Sequence, residues 1–178
     1  MADEAGSVMA KKGRWDKDKS ATENARAALP KLVANYFDAG RKLVVDSSAE
    51  GDTVHRFRLA GKRLRYTLEL FQPFYGSGLN PYLDSMRKVQ NILGDANDYE
   101  TARRLVAKET PARSRLGKEL REVLDKRLKR LMKKFRLFWK TEMDRAGNRR
   151  HWMRFLREPV QAPGKDVKTA PPPGRGSA

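Results

Sequence analysis

Apolar residues recur every three or four positions in four stretches of the chain, the spacing that places them on one face of a helix. The first stretch contains Leu29, Leu32, Val33, Tyr36, Phe37, Leu43 and Val44. Ser20 and Glu23 have the spacing of a capping box, which predicts a helix that begins there. Pro30 falls near the first turns of this helix and favours a later start.

The second stretch follows a polar loop in which Asp52 or Thr53 is expected to cap the helix. Its apolar residues alternate three and four positions apart, as on a helix face that packs against a neighbour. They are Val54, Phe57, Gly61, Leu64, Leu68 and Phe71. Gly61 on this face predicts a close crossing with another helix.

The third stretch begins at Asn80-Pro81, a capping residue followed by proline in the first turn. This helix is expected to be interrupted at 94–98 and to resume through Leu105. Its expected buried residues are Leu83, Met86, Val89, Gln90 and Leu93.

The fourth stretch begins at Thr110-Pro111, which repeats the signal and predicts the longest helix of the chain. Gly147 is expected to end it, before a short final segment that contains Trp152, Phe155 and Leu156. The expected buried stripe of the long helix is Leu116, Leu120, Leu124, Leu128, Leu131, Phe135 and Phe138.

These four helices and the lack of any strand pattern predict an all-α fold, an antiparallel four-helix bundle with long helices. Residues 1–19 lack a sustained period and are expected to form a flexible N-terminal arm. Residues 20–157 form the predicted helical domain. Residues 158–178 are rich in Pro and Gly and are expected to be disordered.

The chain has a formal net charge of +17 over 178 residues, so its surface favours polyanionic partners. Segment 53–72 carries +4 and segment 112–158 carries +11. Nucleic acid, inorganic polyphosphate, acidic protein and anionic lipid all fit this charge. The chain has no cysteine, which excludes disulfides and zinc sites of the Cys-rich type. No apolar run reaches the length of a membrane helix, and these features predict a cytoplasmic protein with no membrane partner.

The predicted second helix carries a stripe of basic residues beside its buried face. At 100° per residue, Arg58, Lys62 and Arg65 lie within a sector of about 60°, and His55 lies next to it. One cation per helical turn, about 5 Å apart, suits a linear polyphosphate better than a single phosphate. The ordinary interpretation of such a stripe is a solvated helix face.

Two other polar segments have ordinary interpretations. Residues 94–98 contain Asp95, Asn97 and Asp98, but they lack the distal Glu of a calcium loop and are expected to form a helix break. In the long basic helix, Lys126, Lys129 and Lys133 lie opposite the predicted core positions, so they form a solvated face by default. They are also candidates for secondary polyanion contacts.

Residues 54–71 closely resemble the signature helix of the CHAD family, the conserved-histidine α-helical domain. Residues 89–98 resemble the Gln-x-x-Leu-Gly-x-x-Asn-Asp segment of the same family, and the resemblance covers about residues 24–140. The family implies a helical bundle that binds inorganic polyphosphate through basic side chains lining a cleft. Matching the motif implies that His55, Arg58, Lys62, Arg63 and Arg65 are the ligand contacts.

The chain departs from the family in one respect, because CHAD domains usually hold two such helical repeats and this chain has one. Its single repeat looks most like the second one. We therefore expect a homodimer, in which two chains pair about a two-fold axis and rebuild the shared cleft.

No nucleophile with an adjacent base, no metal-ligand cluster and no phosphate-binding glycine loop occurs in the sequence. The sequence therefore predicts a non-catalytic protein that needs no cofactor and no metal. Its predicted function is polyphosphate binding, with cytoplasmic polyphosphate granules as the expected location. The alternative is a nucleic-acid or ribosome-associated protein that uses the basic 112–158 surface.

Overall fold

The computed structural model describes residues 16–46, 51–111 and 114–158, and these ranges are almost entirely helical. The long helices are α1 (Ala21–Val45), α2 (Asp52–Leu70), α4 (Asn80–Glu109) and α5 (Arg115–Phe138). The shorter elements are α3 (Gln72–Tyr75), the 3₁₀ turn Gly76–Leu79, the π-helical turn Trp139–Met143 and α6 (Asn148–Arg157). No strand occurs in the described ranges, and the predicted all-α fold is confirmed.

The architecture differs from the predicted four-helix bundle. Besides the four long helices, the ten-residue helix α6 packs against α1. The other main contacts join α2 to α1 and to α4, and α4 to α5. None of the helices in the described ranges combines the length and the apolar character needed to cross a membrane. The domain boundaries at 19 and 158 stay predictions, and residues 1–15 and 159–178 lie outside the described residues.

Trp139 lies at the centre of an aromatic cluster that joins α1, α2 and α5. Its ring centroid is 5.6 Å from those of Tyr36 and Phe57 and 5.8 Å from those of Phe37 and Phe135. The indole covers Gly40 so closely that a Cβ atom there would lie 2.0 Å from Trp139 Cζ2. A glycine at this point of α1 is therefore required for the tryptophan to fit.

The π-helical turn continues α5 and sets the position of Trp139. The Trp139 carbonyl accepts a hydrogen bond from the Asp144 N–H, five residues on, at 2.7 Å. The Asp144 carboxylate in turn accepts from Arg41 Nε and Nη2 at 2.6 and 2.7 Å. The turn thus directs Trp139 and Asp144 onto Gly40 and Arg41, two adjacent residues of α1.

The predicted start of α1 is confirmed. Ser20 and Glu23 form both hydrogen bonds of the capping box. The expectation of a later start because of Pro30 was wrong, since the helix begins at Ala21 and continues through Pro30. Pro30 is buried, and its packing in the core offsets the backbone hydrogen bond that proline lacks.

The predicted buried face of α2 is confirmed at all six positions, and Gly61 lies against the Tyr36 side chain of α1. The cap prediction was wrong, because Gly51 is the N-cap, with a φ of 54°, and no side chain caps the helix. The left-handed conformation of Gly51 turns the chain into the helix one residue earlier than expected. Asp52 instead faces Arg104 of α4, with 3.3 Å between Oδ1 and Nη2.

Two predictions for α4 were also wrong. Asn80 does not cap the helix, because its Oδ1 accepts a hydrogen bond from Gln72 Nε2 at 2.8 Å. The helix is not interrupted at 94–98 but runs unbroken for 30 residues. Glycine within a helix destabilises it by about 1 kcal/mol relative to alanine. The burial of Leu93 and Ala96, on either side of Gly94, stabilises this part of α4 by more than that amount.

The fourth long helix starts later than predicted and is not the longest. Thr110 ends α4, and Ser114 caps α5, which has 24 residues. Of the expected stripe, Leu128 and Phe135 are buried, and Leu124, Leu131 and Phe138 are half-buried. Leu116 and Leu120 are exposed, against expectation. The reason is that α2 begins at the level of Arg104, so no described helix other than α4 lies beside the first turns of α5.

The prediction that Gly147 ends the long helix was wrong, because α5 ends at Phe138 and its π-helical continuation ends at Met143. Gly147, with a φ of 83°, is instead the N-cap of α6. Trp152 and Leu156 of α6 are buried, as expected for the final segment. The Tyr75 hydroxyl donates to the Leu156 carbonyl at 2.7 Å, which ties α6 to α3. Burial raises the pKa of Tyr75 to about 12, and burial also raises the pKa of Tyr36.

Gly40→Ala should lower the free energy of unfolding by about 3 kcal/mol or more, because the added methyl group and Trp139 cannot occupy the same space. Gly94→Ala is the matched control. It adds the same methyl group within a helix, but no atom from another part of the structure lies within 4 Å of the new Cβ atom. This variant should raise the free energy of unfolding by about 1 kcal/mol. Urea unfolding followed by circular dichroism measures both, and similar changes in the two variants would contradict the packing of Trp139 on Gly40.

Stability should fall as the pH rises above about 10, the ordinary pKa of tyrosine. Tyr36 and Tyr75 stay protonated in the folded chain but ionise in the unfolded chain, so the unfolded state binds fewer protons. Each phenol should contribute about 1.4 kcal/mol per pH unit to the loss. Tyr36→Phe should make the decline between pH 10 and 11 shallower, and an unchanged slope would show that Tyr36 ionises in the folded state.

Candidate functional site: a basic cleft between α2 and α4

Polar side chains connect α2 and α4 along their facing sides. As residue numbers rise along α2, those of the contacted residues fall along α4, so the two helices are antiparallel. His55 Nδ1 lies 2.8 Å from Asn97 Oδ1, and Arg65 Nε donates to Gln90 Oε1 at 2.8 Å. Beyond each of these contacts lies an ion pair, Asp52–Arg104 at 3.3 Å and Glu69–Arg87 at 3.2 Å.

Arg58 and Lys62 lie between the two central contacts, on the same side of α2. Both are half-buried, and neither forms an ion pair with a residue that the structure describes. The Nε atom of Arg58 is buried without a hydrogen bond. The register places Gly94 of α4 opposite them, and nothing lies within 4 Å of a Cβ atom built on Gly94. We call this gap, bounded by the His55–Asn97 and Arg65–Gln90 contacts, the α2–α4 cleft.

The cleft combines positive charge with partial burial. A buried N–H group without a partner costs about 1–3 kcal/mol, and more when the group is charged. The arrangement therefore favours an anion that brings oxygen atoms to Arg58 and Lys62. Such charge-assisted hydrogen bonds are about twice as strong as those between neutral groups.

Arg65 has a different place from the other basic residues of the stripe. Besides Gln90 it contacts the Glu69 carboxylate through Nη1, and its guanidinium carbon lies 4.4 Å from the centre of the Tyr66 ring. Glu69 also pairs with Arg87, which contacts Asp84 at 2.8 Å. Arg65 is thus largely neutralised and closes one end of the cleft.

His55 bounds the other end. An amide oxygen only accepts, so the contact with Asn97 assigns the proton to Nδ1 and leaves Nε2 available to an incoming group. The ring is exposed and borders a groove of about 310 Å³. The apolar side chains that line this groove are Val54, Ala96, Leu128 and Met132.

The other predicted site residues lie outside the cleft. Arg63 follows Lys62 by one residue, which turns it about 100° around α2, and it is exposed. Lys126, Lys129 and Lys133 are exposed on α5 and face away from the buried Leu128 and Phe135. The structure therefore brings together His55, Arg58, Lys62 and Arg65. Among the described residues no group of three or more His, Cys, Asp or Glu is placed to hold a metal ion.

The α4 side of the cleft was not predicted. Gln90 was expected as a buried residue and Asn97 as part of a helix break, and both were matched to the family motif without a role in the site. Gln90, Gly94 and Asn97 are spaced four and three residues apart, which places them on one face of a continuous helix. That spacing was the available signal, and the supposed interruption at 94–98 concealed it.

Arg65→Ala should lower the free energy of unfolding by about 1–2 kcal/mol, because Gln90 Oε1 and Glu69 lose a half-buried partner. Arg63→Ala removes the same residue type from an exposed position of the same helix and should change it by less than about 0.5 kcal/mol. Urea unfolding compares the two variants. Equal effects would mean that Arg65 does not close the cleft in solution.

The comparisons with known proteins agree with the resemblance carried by the two motifs. The family model of the CHAD domain matches residues 1–107, more than half of the chain, and this range includes α2 and the first 28 residues of α4. No curated protein and no solved structure matches the chain. CHAD domains are known in polyphosphate-binding contexts and are generally binding domains, not catalytic by themselves. This chain belongs to the CHAD domain family.

Proposed function

We propose that this protein binds inorganic polyphosphate in the α2–α4 cleft, without catalysing a reaction on it. The observation that supports the proposal is the pair Arg58 and Lys62, two half-buried cations beside the open space at Gly94, for which the described part of the chain supplies no ionic partner. Membership of the CHAD family supports the same ligand.

The geometry of the cleft suits an extended chain of phosphates. Arg58 and Lys62 are four residues apart, so their Cα atoms lie about 6 Å apart along the helix axis. From His55 to Arg65 the row spans about 15 Å. A linear polymer with charged oxygens on every unit meets several of these groups at once, whereas orthophosphate meets one or two. Arg58 supplies a planar fork of donors and Lys62 a point charge.

His55 and the Arg65–Glu69 pair give the two ends of the cleft different properties. Nε2 of His55 donates to a phosphate oxygen when the ring carries a proton on both nitrogens, whereas Glu69 places a negative charge at the other end. A polyanion is therefore favoured near His55 and disfavoured beyond Arg65. We propose that Arg65 contributes mainly by positioning α2 on α4 and less by direct contact.

The basic face of α5 has a supporting role in this proposal. Lys126, Lys129 and Lys133 are exposed and form no ion pair with any of the residues described, so they raise the local concentration of any polyanion. The same face is the observation that favours the second candidate function, binding of nucleic acid or association with the ribosome, in which phosphate contacts alone supply the affinity. The two candidates differ in which basic residues matter.

The remaining expectations stay proposals that depend on this ligand. We propose a cytoplasmic protein that associates with polyphosphate granules. We also retain the proposal of a homodimer.

Replacement of Arg58 and Lys62 by Ala should weaken the binding of long-chain polyphosphate by tenfold or more, since about 1.4 kcal/mol corresponds to a factor of ten and each charged hydrogen bond contributes about that amount or more. Replacement of Lys129 and Lys133 removes the same net charge from α5 and should weaken binding about two- to threefold. Arg63→Ala is the control on α2 and should also have a small effect. Fluorescence anisotropy with labelled polyphosphate at fixed salt measures all three.

Competition identifies the ligand class in the same assay. Unlabelled long-chain polyphosphate should displace the probe at lower phosphate concentration than DNA, RNA, short polyphosphate or orthophosphate. Stronger competition by DNA or RNA would overturn the proposal and favour the nucleic-acid candidate. Equal losses in the α2 and α5 double variants would show that binding depends only on diffuse charge.

A further inference from the structure

The hairpin formed by α4 and α5 extends beyond the rest of the bundle and exposes apolar side chains. Leu105 is 54% exposed, Leu116 61%, Leu120 39% and Val123 55%. Leu116, Leu120 and Val123 are spaced four and three residues apart, so they form one continuous strip along α5. The spacing is that of a buried helix face, yet no described residue covers it.

The strip leads into a groove between the same two helices. This groove has a volume of about 580 Å³ and lies between oppositely charged rows on α4 and α5. The α4 side carries Asp95, Asp98 and Tyr99, and the α5 side carries Arg127, Arg130, Leu131 and Lys134. We call the strip and the groove together the hairpin face.

The charged residues of the hairpin face lack ion-pair partners in the part of the chain that the structure describes. Asp95 and Asp98 are exposed and make no ion pair with any described residue. The same holds for Arg127, Arg130 and Lys134 across the groove. Two carboxylates and three cations thus lie at the same level of the hairpin, on separate helices, without neutralising one another.

Such a face is complementary to itself. A two-fold axis parallel to the helices places α4 of one copy opposite α5 of the other at the same level. The strip on α5 of each copy then meets α4 of the other copy around Leu105, which lies two turns after Asp98 on the same face of α4. The Asp95 and Asp98 row of each copy meets the Arg127 and Arg130 row of the other, twice in the dimer. A single chemical partner therefore satisfies both the apolar strip and the two charged rows.

We propose that the hairpin face is the surface through which two copies of this chain pair. The face is about 30 Å long and about 20 Å wide, so each copy buries about 600 Å². This area is somewhat below the roughly 800 Å² per partner of a standard interface.

This pairing has a consequence for the α2–α4 cleft that differs from the shared cleft expected from the sequence. Asn97 lines the cleft, and Asp95 and Tyr99, two residues away on either side, lie about 160° around α4 from it. The two clefts of the dimer consequently lie on opposite outer sides, and each is complete without the other. If the clefts bind polyphosphate as proposed above, the dimer is a divalent binder of one polymer chain.

The test is the mass of the full-length chain, free of polyanion, by sedimentation velocity at micromolar concentration. The wild-type chain should sediment as a dimer. Leu120→Glu should weaken association by tenfold or more and give a monomer. Leu70→Glu is the matched control, since Leu70 is 72% exposed at the end of α2, outside the hairpin face, and this variant should remain dimeric. Circular dichroism confirms that both variants fold.

Charge reversal identifies the partner as a second copy. Asp95→Lys with Asp98→Lys should give a monomer, and so should Arg127→Glu with Arg130→Glu, because each places like charges opposite one another. An equimolar mixture of the two double variants should form a heterodimer. This rescue does not require polyphosphate, so it is independent of the proposed ligand.

Three results would overturn the proposal. A monomeric wild-type chain shows that two copies do not pair through this face. A dimer that survives Leu120→Glu but is lost in Leu70→Glu locates the contact on α2 and supports the shared cleft. A mixture of the charge-reversed variants that stays monomeric shows that the charged rows do not meet.

Discussion

The contact between Trp139 and Gly40 is the constraint on which the rest of the structure depends. It fixes the end of α5 against the middle of α1, and Tyr36 and Phe57 pack around the same indole. Tyr36 in turn lies on Gly61 of α2, so one aromatic cluster sets the position of three helices. Close-packed interiors transmit such constraints because they contain few voids that absorb a displacement.

The position of α2 determines where the cleft residues lie. Its buried face, from Val54 to Leu68, directs the basic stripe toward α4, where Asn97 and Gln90 hold the ends of the stripe. Arg58 and Lys62, between these ends, are partly shielded from water and have no ion-pair partner in the described ranges. Core packing and the proposed binding site thus depend on the same orientation of α2. This orientation half-buries Arg58 and Lys62, whereas many other basic residues of the chain are exposed.

The fold was predictable where the residues of a single helix determine its first residue or its buried face. The capping box at Ser20 and the buried face of α2 depend on local spacing, and both were correct. Predictions failed where tertiary contacts outweighed local preference. Gly94 lies within a continuous helix, although the composition of residues 94–98 favours a break. Leu116 has the periodicity of a core residue, but it lies beyond the point that the other described helices reach and is exposed. Periodicity shows which face of a helix is apolar, but not whether a neighbour covers it.

The basic residues of the candidate site were predictable as a stripe, but their differences were not. Arg58, Lys62 and Arg65 share one sector of α2, yet only Arg65 meets Glu69 and Gln90. That distinction depends on the register between α2 and α4, which single-helix geometry does not contain. The α4 wall was missed for the same reason.

Gly94 illustrates how stability and binding impose different requirements on one position. Alanine is the better helix former there, and no neighbouring atom opposes a larger side chain. Selection for stability alone would therefore replace this glycine. Under the proposed function, this glycine keeps the approach to Arg58 and Lys62 open at the expense of a less stable helix.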